Sequence, residues 1–171
     1  MEQPYLKLKL VRDGAKVPTK RVEDGFFDLY GVFEEDPFYI YPGELKLVPL
    51  GFSTEFPPNW AFRIYERSSA GSKGISARCG VIDSGYRGEY FAAVNNTTNS
   101  LIVITNKAPD EIKEKHKEQI KGYEEKMIVY PSSKAIVQGG LIYSPHIDIE
   151  VTEELNMVSE RRDGTLGSTN K

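Results

Sequence analysis

The segment of residues 80–89 carries side chains that can do acid–base chemistry on a bound molecule. Two apolar residues lead into the carboxylate of Asp83, and a turn containing Gly85 separates it from Tyr86. This pattern predicts a strand end, a tight hairpin and a return strand, with Asp83 and Tyr86 held at the turn. Most carboxylates at such turns only accept hydrogen bonds from the turn backbone. A carboxylate that instead faces a bound substrate can deprotonate a water molecule, so Asp83 is a candidate catalytic base.

Three further segments carry polar or charged side chains that could contribute to a site. Arg67-Ser68-Ser69 provides a guanidinium, two hydroxyls and backbone N–H groups, which together suit a phosphate cradle. Asp28 and Gln138, each within a short apolar run, add a carboxylate and an amide. The formal net charge of −3 gives no general basic surface, so nonspecific nucleic-acid binding is not expected. An anionic small ligand would have to be bound by a few local cations.

These segments and the tail occur in the order of the five motifs of a known enzyme family. They resemble the motifs of the homotrimeric dUTP diphosphatase (dUTPase) family, and the resemblance covers about residues 6–169. One short motif would be weak evidence, but five in order and at plausible spacing are specific. In this chain the motifs are Gly25-Phe26-Phe27-Asp28-Leu29, Arg67-Ser68-Ser69, the 80–89 segment, Ala135-Ile136-Val137-Gln138 and residues 161–169.

The resemblance implies hydrolysis of dUTP to dUMP and pyrophosphate, which limits uracil incorporation into DNA and supplies dUMP for thymidylate synthesis. In the family, the carboxylate matching Asp83 activates the water that attacks the α-phosphorus. The ring matching Tyr86 packs against the deoxyribose and leaves no room for a 2′-hydroxyl. The residue matching Asp28 acts through water on the Mg²⁺ that chelates the triphosphate, which suits an ion that keeps much of its water. A homotrimer is implied, because each active site draws motifs from several subunits.

The other matching positions are expected to bind the substrate. Main-chain groups at Gly80, Val81 and Ile82 would read the uracil edge, because fixed polar groups can reject a mismatched base. Arg67, Ser68, Ser69 and Gln138 would contact phosphate, although Ser69 stands where the family usually has glycine. The tail would order over a neighbouring subunit when nucleotide binds, with contacts from Arg161 or Arg162 and from Leu166, Gly167, Ser168 and Thr169. Leu166 replaces the aromatic residue that usually stacks on uracil, which predicts weaker substrate affinity.

The spacing of apolar runs predicts an all-β fold. Short runs of Val, Ile, Leu and Tyr recur between Gly and Pro turns, which favours an antiparallel, jelly-roll-like β-barrel in a single domain. The domain is expected over residues 1–158, followed by a flexible arm over residues 159–171. Strands are predicted over residues 6–11, 38–41, 44–50, 61–65, 90–95, 101–105, 127–130, 134–143 and 147–151.

Residues 109–126 interrupt this pattern. They are dense in Glu and Lys, with Ile112, His116, Ile120 and Tyr123 at helical spacing, and Pro109 suits the first turn of a helix. This predicts a short amphipathic helix inserted into the β scaffold, where the family usually has a shorter connection. Two interpretations remain open at this point: a helix packed on the barrel surface, or a docking face for a regulatory protein partner.

Two alternatives to dUTP hydrolysis follow from the same resemblance. A dCTP deaminase shares the fold and the Arg-Ser-Ser motif, but its catalytic glutamate would fall at Ala93, and Ala92 and Val94 carry no carboxylate either. A dUTPase-fold regulator that binds a repressor or another protein is motivated by the insert, since some relatives of phage origin have one there. Such a role need not exclude catalysis.

The cysteine count and the hydropathy pattern indicate the cellular compartment of the protein. Cys79 is the single cysteine, which fits a reducing compartment, and we expect it to be a small buried apolar residue. No apolar run reaches membrane-spanning length, and Met1 is followed by a polar segment rather than a signal sequence. These features predict a cytoplasmic protein without membrane association. No His/Cys cluster has the spacing of a structural zinc site.

Overall fold

Short β-strands dominate the computed structural model, which describes residues 4–78, 80–156 and 158. The predictions for Cys79 and for the tail lie outside these residues. The all-β, jelly-roll-like fold is confirmed. The elements in chain order are β1 (Lys7–Leu10), β2 (Phe27–Leu29), β3 (Phe38–Ile40), β4 (Leu45–Pro49), β5 (Phe52–Glu55), β6 (Trp60–Glu66), α1 (Ser68–Gly71), β7 (Ile75–Arg78), β8 (Val81–Asp83), β9 (Phe91–Asn96), β10 (Leu101–Ile104), α2 (Pro109–Lys115), β11 (Met127–Tyr130) and β12 (Val137–Tyr143).

The strands form four small sheets, and the largest of them positions the candidate site. Its order is β2-β12-β6-β8, while the others are β1-β5, β11-β10-β3 and β4-β9-β7. In the largest sheet, β12 pairs Gln138 with Asp28 of β2 on one side and with Tyr65 of β6 on the other. Strand β6 also pairs with β8, which places Asp83 opposite Ala61. Three of the five sequence motifs therefore meet in one sheet with the start of a fourth, Arg67, just beyond β6.

The core between the sheets is apolar and anchors the chain on either side of the Asp83 turn. Tyr90 is fully buried, with its ring 5.0 Å from that of Phe52 and 5.3 Å from that of Phe62, centroid to centroid. Its hydroxyl has a buried hydrogen-bond partner in Thr54, as a buried tyrosine requires. Burial raises the pKa of the Tyr90 phenol. Other large, fully buried core side chains are Leu29, Ile40, Leu50, Ile75, Ile102, Ile104 and Tyr130.

The predicted hairpin after Asp83 is wrong in its pairing. Strand β8 pairs with β6, whereas β9 pairs with β4 and β7. The backbone explains the difference, because the N–H of Tyr90 donates to the carbonyl of Phe52 and its carbonyl accepts from the N–H of Leu50. Tyr90 is thus bonded to the β4–β5 connection, and residues 84–90 cross from one sheet to another instead of returning beside β8.

One strand pair departs from the antiparallel arrangement predicted for the barrel. Strands β10 and β11 run parallel, with Leu101 opposite Met127 and Ile104 opposite Tyr130. Parallel neighbours need a crossover connection of about a dozen residues or more. The insert between these two strands is that connection, so its presence accounts for the parallel pair.

The insert contains a shorter helix than predicted. Helix α2 ends at Lys115, and His116 leaves the helical region with φ −121° and ψ 37°. Ile112 and Ile120 are nevertheless fully buried against Leu101 and Val103 of β10. The apolar side of the insert is therefore packed on the barrel. Its outer side carries ion pairs between Lys113 and Glu125 at 2.8 Å and between Lys115 and Glu111 at 3.2 Å.

The strand predicted over residues 147–151 is not formed in the described chain. Ile147, Ile149 and Val151 alternate with polar residues, as a strand requires, yet their exposed fractions are 74%, 91% and 94%. An alternating pattern forms a strand only where a neighbour completes its backbone hydrogen bonds. Strand β12 also begins later than predicted, at Val137, because residues before it form a turn in which the N–H of Lys134 donates to the carbonyl of Pro131. No described helix has the length and apolar character needed to cross a membrane.

Candidate active site

The structure gathers the predicted site residues of the described chain into two groups, each lining its own cavity. The first, here called the Arg67 cavity, has a volume of about 680 Å³ and is lined by Thr19, Lys20, Arg21, Asp24, Gly25, Phe26, Asp28, Arg67, Ser68, Ser69 and Gln138. The second, here called the Asp83 cavity, has a volume of about 290 Å³ and is lined by Gly80, Val81, Ile82, Asp83, Tyr86, Glu89, Tyr90 and Phe91.

The guanidinium of Arg67 is held by several acceptors at the end of β6. Its Nε and Nη2 donate to the two carboxylate oxygens of Asp28, at 2.8 and 3.1 Å. Its Nη1 donates to the carbonyl of Ala135 at 2.9 Å, with the hydroxyls of Ser69 at 3.2 Å and Tyr130 at 3.4 Å also in range. Such a bidentate guanidinium–carboxylate pair fixes orientation as well as distance. The first, second and fourth motifs are thereby tied together.

The other members of this group are polar and lie beside the ion pair. Gln138 is opposite Asp28 in the sheet, and its side-chain amide donates to the carbonyl of Glu66 at 2.7 Å. Ser68 and Ser69 form the first turn of α1, where backbone N–H groups have no acceptor within the helix. The Arg67 cavity therefore offers hydroxyls and free main-chain donors next to a positive side chain, an arrangement suited to phosphate oxygens.

Asp83 ends β8 with its side chain exposed at the rim of the second cavity. Its main-chain carbonyl accepts from the N–H of Tyr86 at 3.1 Å and so closes the turn. Its carboxylate, in contrast, has no hydrogen-bond partner among the described residues. The side chain is thus not used to cap the turn. It is free to accept a proton from a molecule bound in the cavity.

Tyr86 lies at the rim of the Asp83 cavity rather than in the core. Its side chain is 46% exposed, and its hydroxyl donates to the carbonyl of Glu89 at 3.1 Å. A side chain at Gly88 would collide with the ring, so the glycine there lets the ring approach the backbone closely. The ring is therefore held in place by local structure while one side remains available to a ligand.

Gly80 places the main chain of β8 directly against β6. Its φ of +113° is unfavourable for other residues, and a Cβ there would lie 2.8 Å from the carbonyl oxygen of Ile64. The N–H of Ile64 donates to the carbonyl of Gly80 at 2.7 Å. These contacts hold the backbone of Val81 and Ile82 rigidly beside the cavity. Fixed backbone donors and acceptors are what reading a base edge requires.

Arg12, which was not singled out from the sequence, forms an ion pair with Glu89, a residue that lines the Asp83 cavity. Its Nε and Nη2 donate to the two carboxylate oxygens of Glu89 at 2.8 and 2.9 Å, and its Nη1 contacts Glu34 at 2.7 Å. The hydrogen bonds from Arg12 lower the pKa of Glu89. The carbonyl of Glu89 accepts a hydrogen bond from the Tyr86 hydroxyl, so the ion pair that holds Glu89 also helps to position the Tyr86 ring.

Arg12→Met is expected to destabilise the fold at neutral pH and to do so less in acid. The pKa of Glu89 is lower in the folded than in the unfolded chain, so the ion pair stabilises above the ordinary glutamate pKa and is lost as the pH falls through the lowered value. Urea unfolding midpoints of wild type and variant should differ at about pH 7 and converge as the pH falls below the lowered pKa of Glu89. Glu89→Gln should show the same convergence. A difference that is constant with pH would mean that Arg12 acts through its aliphatic stem instead.

The two cavities are far apart within one chain. Asp83 pairs with Ala61 near the start of β6, whereas Arg67 follows the last residue of that strand. At about 3.3 Å per residue, Ala61 and Arg67 are separated by roughly 20 Å. One chain by itself therefore does not bring the candidate base next to the candidate phosphate-binding group.

Sequence reasoning also missed part of the Arg67 cavity. The loop before the first motif contributes Lys20, Arg21 and Asp24 to its lining. The signal was present as two consecutive cations a few residues before Asp28, in a region interpreted only as a polar loop. The predicted contacts of Arg161, Leu166, Gly167, Ser168 and Thr169 lie outside the described residues.

A magnesium ion in the Arg67 cavity would meet two carboxylates, that of Asp28 and that of Asp24, which is paired with Arg21. Among residues 4–78, 80–156 and 158, no three His, Cys, Asp or Glu side chains are close enough together to hold a metal by themselves. Asp28 already accepts two hydrogen bonds from Arg67, but its two oxygens have about four lone-pair positions. The geometry fits contact through a bridging water to an ion whose other ligands come from a bound phosphate chain.

The sequence matches known proteins over its first half and beyond. The family model described as dCTP deaminase-like matches residues 7–108. The chain is 36% identical over 105 residues to a deoxyuridine 5′-triphosphate nucleotidohydrolase of Thermoanaerobacter sp. (strain X514), which covers 58% of this chain and 70% of that protein. It is 30% identical over 95 residues to the Pol polyprotein of Caprine arthritis encephalitis virus (strain Cork), covering 56% of this chain but only 8% of the polyprotein.

The fold matches solved phage dUTPases over almost the whole chain. The dUTPase of Staphylococcus bacteriophage 80alpha with dUpNHpp has a TM-score of 0.72 at 18% identity, covering 98% of this chain and 99% of that one; it is described as controlling the transfer of virulence genes. A mutant dUTPase from phage phi11 of S. aureus, described with a structural Mg(II) ion, has a TM-score of 0.65 at 15% identity, covering 88% and 98%. At these identities the likeness establishes the fold.

Proposed function

Because this chain belongs to the dUTPase family, we propose that it hydrolyses dUTP to dUMP and pyrophosphate. The observation that carries the proposal is the Asp83 carboxylate, which is exposed at a cavity rim, is not used by its own turn and has Tyr86 beside it. A structural aspartate would be expected to accept hydrogen bonds from its surroundings. A general base has to keep its lone pairs available for water.

In this mechanism Asp83 takes a proton from a water molecule as that water attacks the α-phosphorus. A new P–O bond forms, the bond from the α-phosphorus to the bridging oxygen breaks, and pyrophosphate leaves with the bonding pair. The main chain at Gly80, Val81 and Ile82 binds the uracil edge, and the Tyr86 ring packs against the deoxyribose. Gly88 and the Glu89 carbonyl fix the position of the ring. In this proposal the ring held there excludes a 2′-hydroxyl.

The residues of the Arg67 cavity bind the phosphates in the same proposal. Arg67 and Gln138 donate to phosphate oxygens, as do the hydroxyls and N–H groups of Ser68 and Ser69. Asp28 would hold Mg²⁺ through a bridging water. Bound Mg²⁺ would neutralise charge on the triphosphate. The chain's own contribution is to hold the donors in fixed positions, which the Arg67–Asp28 pair supports.

We further propose a homotrimer in which each site combines the two groups from different subunits. The separation of roughly 20 Å along β6 supports this, because no single chain can place both groups on one small nucleotide. The exposed alternation of Ile147, Ile149 and Val151 also supports it, since that segment has the pattern of a strand whose partner would be another subunit. In this arrangement residues 1–158 form the cytoplasmic barrel domain, and the arm over residues 159–171 brings the fifth motif, from Arg161 to Thr169, to a neighbour's site.

The proposal is tested by pyrophosphate release from dUTP, UTP, dTTP and dCTP, with and without Mg²⁺. We expect release from dUTP alone, dependent on Mg²⁺, with UTP rejected by the Tyr86 ring. An ammonia assay on dCTP addresses deamination in parallel. Ammonia from dCTP would identify a deaminase, and dUTP that stays intact in magnesium buffer would contradict the proposal.

A regulatory role through the insert is a second candidate. The observation in its favour is that the insert packs on the barrel and carries charged side chains on its outer side. The similarity in fold to the phage 80alpha dUTPase, which is described as controlling the transfer of virulence genes, is the reason to consider it. A partner would meet the charges of Lys113, Lys115, Glu111 and Glu125 rather than an apolar face. A repressor or other partner that binds Asp83→Asn as well as wild type, but not a variant with the Lys113 and Lys115 charges reversed, would support this role. Binding that is insensitive to both changes would count against it.

A further inference from the structure

The guanidinium of Arg67 has little capacity left for a triphosphate. It has five N–H donors. Four of them are engaged in the chain: Nε and one Nη2–H by Asp28, and both Nη1–H groups by the Ala135 carbonyl and the neighbouring hydroxyls. One Nη2–H is left for a phosphate oxygen, and the positive charge is compensated by the Asp28 carboxylate. The Arg67 cavity therefore needs another cation if it is to hold a highly charged ligand.

Arg21 is compensated in the same way as Arg67. The side-chain Nε and Nη2 of Arg21 donate to the carboxylate of Asp24 at 2.8–3.1 Å, and the backbone N–H of Arg21 donates to the same carboxylate at 3.0 Å. These hydrogen bonds lower the pKa of Asp24, which therefore stays charged beside Arg21. Arg21 and Asp24 add no net charge to the cavity.

Lys20 differs from both arginines. Its Nζ lies 5.5 Å from the ring centroid of Phe27 and 3.4 Å from the carbonyl oxygen of Gly25. No carboxylate oxygen of the described chain lies within 4.0 Å of it. The ring and the carbonyl hold the ammonium group at the wall of the cavity without neutralising it. Of the charged lining residues, three are positive and two are negative, a net charge of +1 that corresponds to Lys20.

We propose that Lys20 is a substrate-binding residue that contacts the phosphate chain of the nucleotide in the Arg67 cavity. The inference rests on the proposed function for the identity of the nucleotide. The proposal adds to the site a cation that lies outside the five motifs. The ligand that Lys20 would contact belongs to the class of inorganic or nucleoside polyphosphates. A lysine suits this role because its ammonium is a compact point charge with three donors on a flexible stem.

The test compares Lys20→Met, Lys20→Arg and the matched control Lys16→Met. Lys16 also lies over an aromatic ring, with its Nζ 5.1 Å from the Tyr30 centroid, but does not line the cavity. For Lys20→Met we expect KM for dUTP to rise about five- to tenfold with kcat within about twofold of wild type. Lys20→Arg and Lys16→Met should each leave KM within about twofold. The effect of Lys20→Met should shrink in high salt, because salt screens an exposed charge.

Calorimetric binding of inorganic tripolyphosphate separates this inference from the proposed function. Tripolyphosphate needs neither a base nor a uracil site, so its affinity should fall with Lys20→Met and not with Lys16→Met, whatever the chain does to dUTP. If dUTP is not hydrolysed but this difference holds, the polyphosphate site stands and the proposed reaction fails. Equal affinity of the two methionine variants, or no binding of tripolyphosphate to wild type, would overturn the inference. Unchanged thermal melting of Lys20→Met excludes unfolding as a cause.

Discussion

Asp83→Asn is expected to lower kcat for dUTP hydrolysis by about 10²- to 10⁴-fold, because a positioned general base contributes that much to proton transfer. The amide is nearly the same size but cannot accept the proton of the attacking water. The carboxylate has no hydrogen-bond partner in the described chain, so the change breaks no internal contact and the fold should be retained. Pyrophosphate release gives kcat, and calorimetry with the non-hydrolysable analogue dUpNHpp gives affinity, which should change little.

A matched control for this prediction is Asp13→Asn. Asp13 is likewise an exposed carboxylate in a turn, next to Gly14 with φ +76°, but it lies in neither cavity. Its replacement should leave kcat unchanged. If Asp83→Asn kept more than about a tenth of the wild-type kcat, Asp83 would not be the base. A large loss of dUpNHpp affinity would assign it to binding rather than to chemistry.

Mixing the inactive variants Arg67→Ala and Asp83→Asn should restore part of the dUTP hydrolysis activity. Arg67→Ala removes the centre of one group and Asp83→Asn the base of the other, so each homotrimer should be inactive. If a site takes Arg67 from one subunit and Asp83 from another, random mixed trimers from equal amounts should show about a quarter of wild-type activity, since each residue is intact at half of its positions. Co-refolding the two variants and measuring pyrophosphate release against total protein tests this.

The control for the mixing experiment uses two changes within one group. Asp83 and Tyr86 line the same cavity of the same chain, so Asp83→Asn mixed with Tyr86→Ala should recover no activity beyond that of the two parents. Recovery in both mixtures would point to exchange or contamination rather than to shared sites. Failure of the Arg67 and Asp83 variants to complement, with mixed oligomers present by native mass spectrometry, would mean that each chain forms its own site.

Much of the local structure could be predicted from the sequence. Strand β11 was predicted with its observed ends, and six others, β1, β3, β4, β6, β9 and β10, to within one residue at each end, whereas β2, β5 and β7 were not among the predicted strands. Alternating apolar runs between Gly and Pro turns specify strands locally. The segment of residues 147–151 has the same alternation but forms no strand in the described chain. The pattern alone cannot tell whether a partner for such a segment exists.

In the insert, too, some features follow from neighbouring residues and others from contacts between residues distant in sequence. The spacing of Ile112 and Ile120 correctly predicted an apolar side of the insert, and the structure shows that this side packs on the barrel. The spacing did not show that the helix ends at Lys115, or that the crossover makes β10 and β11 parallel. Both depend on where β11 pairs, which is a contact between residues distant in sequence.

By itself the sequence determined which chemical groups are available and in which order they occur, because side-chain identity and turn preference are properties of neighbouring residues. Only the tertiary structure decided how they are grouped. The pairing of β2, β12 and β6 joins Asp28 to Arg67 and surrounds Arg67 with acceptors, which leaves Lys20 as the uncompensated charge in the cavity. The pairing of β8 with the far end of β6 places Asp83 roughly 20 Å from that group. Strand register sets these distances, and register results from packing of the whole core rather than from any one motif.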